Sequence, residues 1–90
     1  FNLSNYPNPF NPTTTISFEV RQTSLFVTLK IYNLKGQEVK QLISTEVQAG
    51  KHSVIWNGTD SNDQPVSSGI YFYKLISGEH KQTNKMLLLK

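Results

Sequence analysis

Asp60, Asn62 and Asp63 bring three oxygen-bearing side chains close together in the middle of the sequence. Carboxylate and amide oxygens are ligands that calcium prefers, and a calcium loop of the EF-hand type would begin at Asp60. Such a loop needs glycine at its sixth position and glutamate at its twelfth, but this chain has Pro65 and Tyr71 there. The spacing therefore argues against calcium and predicts that these side chains bond to the backbone of a turn.

Other residue types that commonly carry catalysis are few and scattered. There is no cysteine, which excludes a disulfide, a thiolate metal site and a cysteine nucleophile. His52 and His80 fall in different predicted strands, and we expect both on solvated strand faces. No serine lies in a G-x-S-x-G nucleophile elbow, and no glycine-rich phosphate loop occurs. The sequence therefore predicts no enzymatic activity, no metal site and no cofactor.

Size and composition predict a single folded domain over residues 1–90. With 37% hydrophobic and 17% charged residues, the chain is too apolar for a disordered segment and too poor in charge for a coiled coil. The net charge is +3, but the basic residues are spread out, so we expect no nucleic-acid partner. The apolar run 86–89 is far shorter than the roughly 20 residues of a spanning helix. We expect a monomer without a membrane span. If the domain is exported, its targeting signal lies on a larger precursor or is the domain itself.

The stretch from Trp56 to Leu75 is the one around which the other elements are arranged. It begins with an aromatic residue at the end of an apolar alternation, passes through a run of Asn, Asp, Gly, Ser and Pro, and re-enters a strand-like segment at Ile70. An extended, proline-rich edge segment over 1–12 opens the chain. Period-two alternation predicts strands over 14–20, 26–33, 38–44, 51–56, 70–77 and 80–89, with turns at Lys35–Gly36, Ala49–Gly50 and Gly78–Glu79.

The same alternation predicts which side chains are buried. Tyr71, Tyr73 and Leu75 should point inward, because the other face of their strand carries Lys74. After Glu38 the apolar pattern slips by one residue at 42–43, which is typical of a β-bulge. The remaining residues expected on the core side are Ile16, Phe18, Val20, Val27, Leu29, Ile31 and Trp56, together with Val39 and either Leu42 or Ile43.

A tyrosine that follows a Ser-Gly corner is typical of the tyrosine corner of immunoglobulin-like sandwiches, and Tyr71 follows Ser68–Gly69 in this way. We expect Gly69 to adopt a backbone conformation that a β-carbon would crowd. Taken with the strand count, this predicts an all-β fold, an immunoglobulin-like or fibronectin III-like antiparallel β-sandwich of about seven strands.

Four motifs, in the correct order and together covering essentially the whole chain, are similar to a known family. The opening 5–12 (N-Y-P-N-P-F-N-P), followed by T-T-T-I-S-F, resembles the start of the type A C-terminal sorting domain of the type IX secretion system. The segment 27–33, with Gly36 and Val39, is similar to that family's central hairpin. Ala49–Gly50, 56–58, 65–73 and the closing 85–90, in the family's last strand, match it in order. One departure is Asp63, where the family usually has glycine, so we expect a slightly strained turn there.

The resemblance implies a folded secretion signal at the end of a larger exported protein of Bacteroidetes-like bacteria. The precursor would cross the inner membrane by a separate N-terminal signal. The outer-membrane type IX translocon would then recognise the domain, and a sortase-like peptidase would typically cleave it. The upstream passenger domain would pass through the periplasm to the cell surface or the medium. Candidate sorting-signal residues are Gly69, Tyr71, Lys85, Met86, Leu87, Leu88, Leu89 and Lys90, and structural candidates are Trp56, Gly58 and Tyr73.

Two other classes of function stay open at the level of sequence. The same family is related to the Ig-like domain of the flagellar hook-capping protein, which is a structural module. A carbohydrate-binding accessory domain of a secreted enzyme is the third class, although Trp56, Tyr71 and Tyr73 are predicted in the core and not on a sugar-binding surface. A sorting domain would end its polypeptide, whereas the other two need not.

Overall fold

Alternating apolar positions rich in β-branched and aromatic side chains form five β-strands. The computed structural model describes residues 1–90, apart from the side chain of Gln22, and contains no helix within them. All pairings between the strands are antiparallel, which confirms the predicted all-β class. The strands are β1 (Ser4–Tyr6), β2 (Thr14–Tyr32), β3 (Glu38–Trp56), β4 (Gly69–Ser77) and β5 (His80–Leu88).

β2 and β3 are long strands that bend together and so contribute to both layers of the fold. The first part of β2 pairs with β1 and with the end of β3, whereas its second part pairs with the start of β3 and with β4, which pairs with β5. The bend lies at a register shift between Val20 and Ser24. Apolar side chains from both halves of β2 enter one buried cluster, so the two layers face each other across a shared core.

The predicted turn at Ala49–Gly50 is wrong, and so is the predicted break in β2 after Val20. β3 continues through Gly50, which pairs with Val20 and has a φ of +127°. Glycine tolerates that dihedral, so the strand bends without ending, and residues 21–23 of β2 form the matching irregularity. Four predicted strands therefore merge into two.

The predicted core is confirmed. Val39, Leu42 and Ile43 are only partly buried against the core. Every other residue named above for it is at most 6% exposed, and the two ends of the chain add Leu3, Phe10, Met86 and Leu88. The predicted bulge is also present, since Leu29 pairs with Ile43 and the next residue, Lys30, pairs with Gln41, leaving Leu42 without a partner on β2.

The two histidines differ in their surroundings. His80 is exposed, as predicted. The prediction of a solvated face is wrong for His52, which is half-buried with its ring stacked on Phe18 at a centroid distance of 5.5 Å. The aromatic neighbour on the paired strand explains the difference, because Phe18 and His52 are cross-strand partners.

Candidate functional site

The end of β5, which holds most of the predicted sorting-signal residues, alternates between the core and the surface. Met86 and Leu88 are buried, with exposures of 2% and 0%, whereas Leu87 is half-buried and Leu89 is 48% exposed. Lys85 and Lys90 are both exposed and bracket this segment. Two side chains of the segment therefore anchor it in the core, and the others are available at the surface.

The N-terminal segment holds the end of β5 along the edge that β4 leaves free. The amide of Phe10 donates to the carbonyl of Leu87 at 3.0 Å, and the amide of Leu89 donates to the carbonyl of Phe10 at 2.9 Å. The amide of Leu87 donates to Oδ1 of Asn8 at 3.0 Å. We call this set of contacts between residues 8–10 and 87–89 the clasp.

A second joint, between β4, β5 and residues 3–5, lies deeper in the fold. Asn84 donates from Nδ2 to the carbonyl of Leu3 at 2.7 Å and to the hydroxyl of Tyr73 at 3.3 Å. The Tyr73 hydroxyl donates to Oδ1 of Asn5 at 2.9 Å. Burial raises the pKa of the Tyr73 phenol, and the hydrogen bond from Asn84 opposes that rise.

The sequence analysis missed Asn5, Asn8 and Asn84 as individual residues. Asn5 and Asn8 do lie inside the N-Y-P-N-P-F string that carries the family resemblance, and this string was the signal that could have identified them. Asn84 carries no comparable signal, because an asparagine in a strand is not informative until its cross-strand neighbours are known.

The predicted tyrosine corner is confirmed. The hydroxyl of Tyr71 donates to the carbonyl of Ser67 at 2.7 Å, and burial raises the pKa of the phenol. The Tyr71 ring lies edge-on to Trp56 at a centroid distance of 5.3 Å, and Trp56 lies 5.7 Å from Phe10. These rings connect the corner to the clasp through the core.

The special backbone conformation predicted for Gly69 is confirmed. Its φ is +151°, which side chains rarely adopt. A β-carbon built there would meet no other part of the chain within 4 Å, so the constraint comes from the dihedral alone. Gly69 pairs with Leu88, and nearby the hydroxyl oxygen of Ser68 accepts a hydrogen bond from the amide of Lys90 at 3.0 Å, so the corner and the end of β5 are adjacent.

The close approach of backbones is found at Gly58. Its φ is +73°, and a β-carbon there would lie 3.0 Å from the carbonyl oxygen of Pro12 and 3.6 Å from Cδ2 of Leu88. The indole nitrogen of Trp56 donates to the carbonyl of Thr59 at 2.9 Å, which fixes the start of the long loop on the core. Gly58 therefore packs directly behind the segment that forms the clasp.

The acidic loop caps its own backbone, as predicted. Oδ1 of Asp60 accepts hydrogen bonds from the amides of Asn62 and Gln64 at 2.9 and 3.0 Å. Asp63 has a φ of +59°, which agrees with the strain expected there, and its carboxylate pairs with Lys40 at 3.0 Å. Across the described side chains, no group of three or more His, Asp or Glu is arranged to hold a metal ion.

No helix among the described residues is long and apolar enough to cross a membrane. The two ends of the chain are joined at one edge of the fold, and the predicted sorting-signal residues lie around this joint.

Several solved structures are similar to this chain in fold. The chain aligns with PorZ, a surface component of the type IX secretion system of Porphyromonas gingivalis, over 99% of its length (TM-score 0.70, 19% identity). It aligns over 97% with latent PorU of the same organism (TM-score 0.79, 17% identity) and over 83% with FlgD of P. aeruginosa (TM-score 0.65, 24% identity). The chain spans only 12%, 9% and 58% of those proteins. At these identities the likeness shows the fold alone.

No curated protein sequence matches the chain. A family model described as the FlgD Ig-like domain matches residues 4–79, which include β1 to β4, the tyrosine corner and the Gly58 contact. The match covers well over half of the sequence, and this chain belongs to the family of FlgD Ig-like domains.

Proposed function

We propose that this domain is a sorting signal of the type IX secretion system. Its partners are an upstream passenger protein, the outer-membrane translocon, and a sortase-like peptidase. The passenger travels through the periplasm to the cell surface or the medium. The domain itself carries out no catalysis in this proposal and acts as a monomer without a cofactor.

The observation that carries the proposal is the clasp. The end of β5, where the resemblance locates the sorting signal, is held by residues 8–10 on one edge and by β4 on the other. A signal of this kind has the same shape whatever passenger precedes it, because its own domain fixes it. The fold shared with PorZ and PorU of a type IX system supports the same proposal.

The test is export of a reporter. Residues 1–90 are fused to the C-terminus of a reporter that carries an inner-membrane signal peptide, in a bacterium with a working type IX system. We expect the reporter at the cell surface or in the medium. Removal of residues 85–90 deletes Met86 and Leu88 from the core and also removes every residue of β5 that forms the clasp. The truncated reporter should therefore stay in the periplasm or be degraded.

A variant with Lys85→Ala and Lys90→Ala separates recognition from folding. Both lysines are exposed, and surface charges contribute little to stability. Loss of export in this variant would indicate that the basic residues are recognised. Retention of the reporter in the periplasm by the intact domain, while the translocon exports its own substrates, would refute the sorting function in that host.

A structural module of the hook-capping type is the second candidate, because the family model and the FlgD fold fit it equally well. Its test is replacement of the Ig-like domain of a FlgD protein by residues 1–90. Restored hook assembly, together with no export of the reporter, would favour the structural role. Export without restored assembly would favour the sorting signal.

A further inference from the structure

Three apolar side chains form a row on the outer face of the β4–β5 layer, beside the end of β5. Ile70 pairs with Leu87 across the two strands, and Leu34 lines the same shallow groove as Ile70. Leu34 is 70% exposed and Ile70 is 40% exposed, whereas Leu87 is half-buried. Apolar surface is therefore left in water at the point where the clasp fixes β5.

The next cross-strand rows of the same face add an aromatic ring, that of Phe72, and the ammonium groups of Lys74 and Lys85. Phe72 lies between Tyr32 on β2 and Lys85 on β5. Lys74 follows on β4, with its ammonium 5.8 Å from the centroid of the Tyr32 ring. Among the described side chains, neither Lys74 nor Lys85 forms an ion pair with a carboxylate. We call this surface, formed by Leu34, Ile70, Phe72, Leu87, Lys74 and Lys85, the outer patch.

We propose that the outer patch is the surface by which the domain docks on the export machinery, and that its partner is a protein surface with apolar side chains bordered by carboxylates. This inference rests on the proposed sorting function. An apolar centre with a charged border is the usual composition of a protein interface. The two lysines without ion pairs make an acidic border the complementary one.

Other occupants fit the outer patch less well. A second copy, stacked face to face, would bring two further lysines to the outer patch and no carboxylate of the patch to pair with them, and like charges in an interface disfavour binding. A nucleic acid would be bound through its phosphates, which leaves Leu34 and Ile70 without partners. A partner that covers both the apolar row and the lysines must itself carry apolar and acidic groups.

The test compares two double variants in the reporter fusion. Ile70→Ser with Lys85→Glu alters the outer patch. Ile55→Ser with Lys51→Glu is the matched control, because both residues are exposed on β3 and Ile55 is 63% exposed. We expect the patch variant to reduce surface display by about tenfold or more, as loss of central contacts does at interfaces. The control should be displayed like the parent, and both purified domains should melt within about 4 °C of it.

Display of the patch variant at the parental level would overturn the inference, and so would an equal loss in the control. If the patch variant does not fold, the double variant Lys74→Gln with Lys85→Gln, which keeps the apolar row, takes the place of the patch variant in the comparison. Normal display of this second variant would again overturn the inference. Sedimentation that shows a parental dimer dissolved by the patch variant would assign the outer patch to a second copy. Failure of the parent to be displayed refutes the sorting function itself, so the two failures can be told apart.

Discussion

Substitution of Gly58 by alanine is the most specific test of how the long loop supports the end of β5. A β-carbon at this position faces the carbonyl oxygen of Pro12 at 3.0 Å, and the residue has a φ of +73°. Gly36 is a matched control, since its φ is +83° but a β-carbon there meets nothing within 4 Å. In both variants alanine must adopt the left-handed region, which lowers the free energy of unfolding by about 1–2 kcal/mol. Alanine also reduces the conformational entropy of the unfolded chain, which restores about 0.4–1 kcal/mol.

Only Gly58→Ala also crowds a neighbouring backbone, and overpacking typically costs about 1–3 kcal/mol more. We therefore expect Gly36→Ala to lower the free energy of unfolding by about 1 kcal/mol and Gly58→Ala by about 2–4 kcal/mol. Because Pro12 follows the clasp residues, amide exchange at Leu87 and Leu89 should accelerate in the Gly58 variant alone. Urea denaturation and hydrogen exchange measure the two effects. Equal losses of stability, or unchanged exchange at both amides, would show that Gly58 does not support the clasp.

Three further predictions concern the core and the corner. Trp56→Ala should lower the free energy of unfolding by about 3–5 kcal/mol in urea denaturation, since the side chain is fully buried; a variant as stable as the parent contradicts this packing. Burial raises the pKa of Tyr73, so its stability contribution is complete below the unfolded value of 10.0 and is lost as pH rises through the folded value. The midpoint of thermal unfolding should fall above pH 10.0 more steeply in the parent than in Tyr73→Phe, and identical slopes would contradict this. Gly69→Val should destabilise the corner because valine rarely adopts a φ of +151°. The Tyr71 phenol should then be less buried, and ultraviolet titration should show a lower pKa for it.

The sequence predicted the burial pattern well because a strand with one buried face repeats every two residues. Tyr71, Tyr73 and Leu75 could be assigned to the core from Lys74 alone, and the bulge at Leu42 from a one-residue slip in the apolar pattern. Both inferences use neighbours in sequence, which is why they needed no knowledge of the tertiary structure.

The strand boundaries at Gly50 could not be predicted in the same way. A glycine after alanine looks like a turn in the sequence, and only the pairing of Gly50 with Val20 shows that the strand bends and continues. The close approach of Pro12 and Leu88 to Gly58 could not be predicted either, because it depends on contacts between distant parts of the chain. Asn84 was missed for the same reason, since its partners Leu3 and Tyr73 are far from it in sequence.

The clasp joins the end of the chain to its beginning, and a translocon that binds the end of β5 therefore binds a structure that depends on both ends. Asn8 and Leu87 are 79 positions apart, so their hydrogen bond closes a loop that contains almost the entire domain. Closing a loop of that length costs entropy in the unfolded chain, and pairing of the strands between the two residues shortens the loop that remains to be closed. The end of β5 is therefore held in place only in the folded domain. Under the proposed function, a receptor that binds β5 and the outer patch would select precursors whose signal has already folded. A hook-capping module does not need its last strand to be recognised by a translocon, so loss of export in the Lys85→Ala, Lys90→Ala variant at unchanged stability would favour the sorting signal.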